Sequence, residues 1–128
     1  MDFPEELKYS KEHIWVRVEN GTAVIGVTDF GQEELGLIAC VELPEEGDEL
    51  DQDDSFGSIE GRKTVAELYA PFSGSVLGVN QEVVDNPGLI NDDPYDSGWL
   101  IEVSLADSDD LKGLMSADDY AEYVETSY

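Results

Sequence analysis

Short runs of alternating apolar and polar residues, cut at close intervals by turn sequences, constrain this chain to strands more than any other feature. Ile14, Val16 and Val18 alternate with Trp15, Arg17 and Glu19, the period of two that puts one face of a strand on a core. Asn20-Gly21 is a strong hairpin turn, and Thr22 to Val27 returns as the partner strand. Leu37 to Leu43 predicts another strand, ended by Pro44. Ser55 to Ile59 and Thr64 to Ala70 predict the arms of a second hairpin, and Pro71-Phe72-Ser73-Gly74 turns the chain into Ser75 to Val79. Trp99, Ile101, Val103 and Leu105 alternate through a last strand. Asn86-Pro87-Gly88 and Asp92-Asp93-Pro94 are expected to be loops.

Two segments break this period. Asp29 with Gln32 three residues on forms a capping box, and Gly36 is placed to close the segment in the left-handed conformation, predicting a helix of two turns. Ala117, Tyr120, Ala121 and Val124 fall at helical spacing behind Ser116 as N-cap, with Asp118 and Asp119 in the first turn. They predict a C-terminal helix over 116–126, and Leu111, Leu114 and Met115 a shorter helical turn before it. The chain fits one domain, 1–128. Its expected class is mainly β, a two-sheet sandwich or flattened barrel with short helices and a docked C-terminal helix.

Charge narrows the partners. Asp and Glu number 31 against 6 Lys and Arg, a net charge of −25. Such self-repulsion opposes compaction at low salt, whereas at molar salt the Debye length falls to about 3 Å and neighbouring carboxylates largely stop interacting. The balance suggests a salt-adapted, halophilic cytoplasm; an ordinary acidic carrier is the alternative. Nucleic acid and anionic membrane are poor partners for this surface, and no basic, apolar leader or apolar span is present, so a cytoplasmic protein is expected. Cys40 excludes an internal disulfide as the sole cysteine, and its setting, Leu37-Ile38-Ala39-Cys40-Val41, predicts a buried thiol.

Catalytic and metal motifs fail on spacing. Gly57 to Thr64 has three residues between its glycines and an arginine before the lysine, unlike a phosphate-binding loop. Asp51, Asp53 and Ser55 begin like a calcium loop, but the glycine falls one place late and Arg62 holds the twelfth position. His13 has no companion for a zinc site, so no metal is expected. No nucleophile–base arrangement emerges, and a non-catalytic protein is expected.

What remains is Lys63. With Arg62 it is the only basic charge between Arg17 and Lys112. It lies where the second hairpin turns, with Gly61 next to the turn, a place that presents its amine outward to a modifying enzyme. Group carriers hold lipoamide or biotin in this way.

The chain resembles the H protein of the glycine cleavage system over nearly its whole length. The matching residues include Tyr9-Ser10-Lys11-Glu12-His13 with Trp15-Val16, Ile25-Gly26-Val27-Thr28-Asp29, and Glu60-Gly61-Arg62-Lys63 leading to Tyr69-Ala70-Pro71-Phe72-Ser73-Gly74. Leu89-Ile90-Asn91, Asp93-Pro94-Tyr95 and Gly98-Trp99-Leu100 follow in the same order. The resemblance implies a barrel-sandwich hybrid of the lipoyl/biotinyl-carrier type, with lipoic acid in amide linkage on Lys63. Glu60 and Gly74 match positions shared by lipoylated domains, Gly74 also having a plain reading as a turn residue. Glu67 and Glu12 are implied cleft contacts to the loaded arm. The implied cycle is a shuttle. A pyridoxal-phosphate glycine decarboxylase loads an aminomethyl group, a tetrahydrofolate-dependent aminomethyltransferase takes the one-carbon unit, and the flavin enzyme dihydrolipoamide dehydrogenase reoxidises the arm. A lipoyl ligase or transferase is the implied modifying partner.

Three departures from the family pattern stand out. Gly61-Arg62 stands where Ser-Val is common, with consequences for ligase choice. Ile14 replaces an acid, and Gly31 replaces an alanine, which is expected to loosen the first helix by up to about 1 kcal/mol. A biotin carrier fits less well because its lysine is flanked by methionines. A 2-oxo acid dehydrogenase lipoyl domain fits less well because it is shorter. An acidic module with unmodified Lys63 is the rival of a different class.

Overall fold

A computed structural model describes residues 1–127. Ile14–Glu19 and Thr22–Val27 form the expected hairpin around Asn20-Gly21, where both residues take positive φ. Numbered along the chain these are β2 and β3, since the two-residue strand β1 (Lys8–Tyr9) precedes them. After them come the helix α1 (Asp29–Leu35), then β4 (Ile38–Glu42), β5 (Glu49–Leu50), β6 (Ser55–Gly61) and β7 (Val65–Tyr69). The chain continues through β8 (Gly74–Val79), the short helices α2 (Gln81–Asp85) and α3 (Gly88–Asp92), and β9 (Ile101–Leu105). A 3-10 turn over Ser108–Gly113 leads into α4, Ala117–Ser127.

All strand pairs are antiparallel. One sheet has the order β1-β2-β3-β9-β8-β5, and the other β4-β6-β7. Between them lies the main core, to which Ile14, Val16, Ile25, Val76 and Val103 come from the first sheet and Ile38, Val41, Ile59 and Leu68 from the second. The expected class, mainly β in two sheets with short helices, is therefore met.

The outer face of the large sheet carries a second core. Trp15, fully buried, packs there with Leu7, Tyr9, Ala117 and Tyr120. Alternation assigns Trp15 to the face away from the main core, and α4 covers that face, so β2 is buried on both sides at its start and exposed only at Val18 and beyond. Gly26 stands opposite Trp15, and a Cβ there would sit 2.7 Å from the indole, so the ring lies across the bare backbone. Ser116 caps α4 as expected, its hydroxyl accepting from Asp119 N–H at 3.2 Å.

Several expectations are corrected. Cys40 is exposed, not buried. A bulge between Ile38 and Cys40 lets Ile38 and Val41 both face inward, which turns Cys40 outward opposite Glu60. The cap of α1 is Thr28, whose hydroxyl accepts from Gly31 N–H at 3.0 Å, while Gln32 donates to the Asp29 side chain instead. Gly36 has φ 78 but ψ −164, positive yet not left-handed helical. The expected loops hold at Asn86-Pro87 and at Asp93-Pro94, while Gly88 and Asp92 are the two ends of α3; α2, just before Asn86 and capped by the Asn80 side chain, and α3 are too short to show a helical period. Trp99 lies before β9, in the second core. Leu114 and Met115 fall beyond the 3-10 turn, Met115 bridging to Tyr9.

Candidate functional site

Gly61 donates its N–H to Thr64 O at 2.9 Å, which closes a two-residue loop with Arg62 and Lys63 at its tip. The tip does not wave free. Arg62 N–H donates to Leu37 O at 3.0 Å and Lys63 N–H to Leu35 O at 2.9 Å, so both loop residues rest on the segment leaving α1. Contact this close explains Gly61, because a Cβ there would stand 2.1 Å from Leu35 O. Any residue with a Cβ, serine included, meets this close backbone approach.

The supporting segment is itself anchored. Asn91 on α3 accepts from Ile38 N–H at 2.9 Å and donates to Gly36 O at 3.0 Å and Gln32 Oε1 at 2.9 Å. One side chain thus holds the end of α1 and the start of β4 beneath the tip. Periodicity gives no signal for Asn91, because its partners, two backbone groups and the Gln32 side chain, are far away in sequence. The Lys63 side chain is exposed and its ammonium donates to Glu33 O at 3.2 Å, at the carbonyl end of α1.

Beside the tip, a cleft of about 230 Å³ opens between the start of β2, α1 and β7. Its wall is apolar where Ile14, Val27, Leu35, Ile59, Ala66 and Leu68 meet, and Thr64, next to Lys63, stands at one end. Glu12, Glu34 and Glu67 belong to its lining, as does His13. Gly31, Glu34 and Leu35 fall at i, i+3 and i+4, one face of α1. That spacing beside Leu35 is the signal that marks Glu34, which the sequence reading missed.

The expected site residues are only partly brought together. Glu12 and Lys63 flank the cleft, with Lys63 one residue beyond its lining. Glu67 is on β7 but pairs in register with Ser58, which in turn faces Glu42. By alternation Ala66 and Leu68 point inward and Glu67 outward, and its carboxylate accepts from the Ser55 hydroxyl at 2.6 Å. Glu60 lies on the outer face between Cys40 and Val65, one strand pair before the loop. Gly74 is not in a turn. It opens β8 in the large sheet, where a Cβ would meet Ser104 O at 1.8 Å, outside the cleft lining. Ile14 is almost fully buried and extends the apolar wall. Gly31 is there for space, since a Cβ would stand 2.8 Å from Val27 Cγ1 and 3.1 Å from His13 Cβ.

Burial lowers the His13 pKa below the usual imidazole value. Burial first, then nearby phenols and acids, raises the pKa of Tyr9, which remains a neutral donor to Pro4 O at 2.7 Å. Among the described residues no group of three or more His, Cys, Asp or Glu is arranged to hold a metal, and no helix is long and apolar enough to cross a membrane.

Comparison with known proteins yields one consistent set of matches. Residues 7–127 match the family model described as Glycine cleavage H-protein. The chain is 50% identical over 124 residues to a glycine cleavage system H protein of Staphylococcus epidermidis, covering 97% of this chain and 98% of the relative. It is 52% identical over 124 residues to that of Staphylococcus carnosus, with the same coverage. The crystal structure of a glycine cleavage system H protein from Mycobacterium marinum superposes with a TM-score of 0.88 at 34% identity, covering 95% of this chain and 98% of that one.

Proposed function

Because the chain belongs to the glycine cleavage H-protein family, we propose that it works as the system's lipoyl-bearing shuttle, with lipoic acid in amide linkage to Lys63. The observation that carries this assignment is an exposed lysine on a backbone-braced two-residue loop, with an apolar cleft beginning one residue away. A lipoyl group supplies the dithiol that holds an aminomethyl group and passes electrons on. The chain's own residues do the rest. Leu35 and Leu37 carbonyls fix the loop, so that a modifying enzyme or partner meets Lys63 in one orientation. Acylation replaces the ammonium with a neutral amide N–H, so the bond to Glu33 O loses its charge assistance, which makes it easier for the side chain to leave the α1 end. Val27, Leu35, Ile59 and Leu68 then offer an apolar bed that excludes water, while Glu12 and Glu34 put negative charge beside a protonated amine. In its present rotamer Glu67 is held by Ser55, and it serves the amine only after that hydrogen bond breaks. Glu60 marks the outer face for the ligase or transferase, and Gly74 keeps the large sheet closed.

The working partners are the pyridoxal-phosphate glycine decarboxylase, the tetrahydrofolate-dependent aminomethyltransferase and the flavin dihydrolipoamide dehydrogenase. The whole chain, 1–128, acts as one non-catalytic carrier domain in the cytoplasm. Six basic side chains against 31 acidic ones support a salt-adapted setting, in which unfolding measured across a salt series gives rising stability; greatest stability at low salt would contradict it. The function is tested with Lys63→Arg in a reconstituted system. The variant is expected to fold normally and support no glycine turnover; turnover equal to the native protein would overturn the mechanism.

A further inference from the structure

His13 has φ 67, a conformation that costs energy in a residue with a Cβ and persists only where its surroundings impose it. Those surroundings come from α4 and from the capped start of α1. Tyr120 of α4, fully buried and 107 residues away, places its hydroxyl 2.7 Å from His13 Nδ1 and 2.8 Å from Thr28 Oγ1. Thr28 Oγ1 also accepts from Gly31 N–H, and Thr28 N–H donates to His13 O at 3.0 Å. The Tyr120 hydroxyl thus links His13 Nδ1 to Thr28 Oγ1, which itself accepts from Gly31 N–H, in one continuous hydrogen-bonded chain. Both ends of this chain, His13 and Gly31, line the cleft, and Glu12 and Ile14 flank His13 there.

We propose that His13 is a positioning residue of the carrier cleft, gripped by the Tyr120 hydroxyl so that the wall from Glu12 to Ile14 keeps the shape that shelters the loaded arm. The C-terminal helix thus governs cleft integrity without touching the arm. This rests on the reading of the cleft as the arm's shelter. Tyr9 stacks on Tyr120 at 4.8 Å, and that contact survives loss of the hydroxyl, so Tyr120→Phe keeps the second core.

Amide exchange on the unlipoylated protein is the first readout. Tyr120→Phe is expected to speed exchange of the Gly31 and Thr28 amides about fivefold relative to the strand interior of β2 and β3. The second readout is the release of formaldehyde and ammonium from the aminomethyl-loaded, lipoylated protein, in which water cleaves the carbon–sulfur-bound group and leaves the dithiol. Tyr120→Phe and His13→Gly should shorten its lifetime about fivefold at full folding, while His13→Asn, which tolerates positive φ and retains an acceptor, should restore it. Unchanged exchange and unchanged lifetime in both Tyr120→Phe and His13→Gly would overturn the role of His13. If the native loaded arm decays as fast as free aminomethyl-dihydrolipoamide, the shelter reading itself fails, a separate outcome visible without any variant.

Discussion

The two sheets are covered differently, and the difference separates stability from presentation. The six-stranded sheet is buried on both faces around β2 and β3, by the main core on one side and the Trp15–Tyr120 cluster under α4 on the other. The three-stranded sheet is buried on one face only. Its outer face leaves Cys40, Glu60, Val65 and Tyr69 exposed, and its hairpin carries Lys63. A thick half anchors the fold, and a thin half offers a rigid tip that large partners can reach.

Substitutions break or sharpen this contrast in graded steps. Trp15→Ala should cost about 3–5 kcal/mol in urea unfolding, since it empties the second core beside Gly26. A loss under about 1 kcal/mol would show that the thick half is not the anchor. Gly61→Ala should cost about 2 kcal/mol by forcing a Cβ onto Leu35 O, and it should slow lipoylation more than Trp15→Ala does in the folded fraction. Equal lipoylation rates for the two variants would deny that the tip's bracing matters. His13 gives a smaller, pH-dependent effect. Its native pKa is lowered by burial, so above about 6.5 the imidazole is neutral in both states. As pH falls from there the unfolded chain takes up a proton that the native site resists, and stability is lost on the acid side. The stability difference between the native protein and His13→Asn should therefore shrink as pH falls below that point; a pH-independent difference would deny the neutral, buried state. Val65→Ser, on the exposed outer face at 61% accessibility, should change stability by less than about 0.5 kcal/mol.

Local chemistry made the Lys63 hairpin legible in the sequence. Gly61 and the strand patterns around it mark the turn, and a lone cationic pair in an acidic chain singles out its tip. Asn20-Gly21 and the Ser116 cap were legible for the same reason, because each is decided by neighbouring residues. Cys40 was not. Its exposure depends on a bulge, and one extra residue inverts which face a side chain takes. For Trp15, alternation gives the face opposite Ile14 and Val16 but cannot say what packs against it, and here a helix a hundred residues later does. Glu67 shows the same limit within the site. Its position after Lys63 is right for the cleft's wall, yet pleating turns its carboxylate toward Ser55. Asn91 and the Tyr120–His13 contact join residues 53 or more apart, through hydrogen bonds that leave no periodic trace.

The most direct test of the account is the intact and peptide mass of the protein purified from its own cells. A lipoyl adduct confined to the peptide bearing Lys63 is the predicted result. An unmodified Lys63, in cells whose other lipoyl proteins carry the group, would contradict the carrier role.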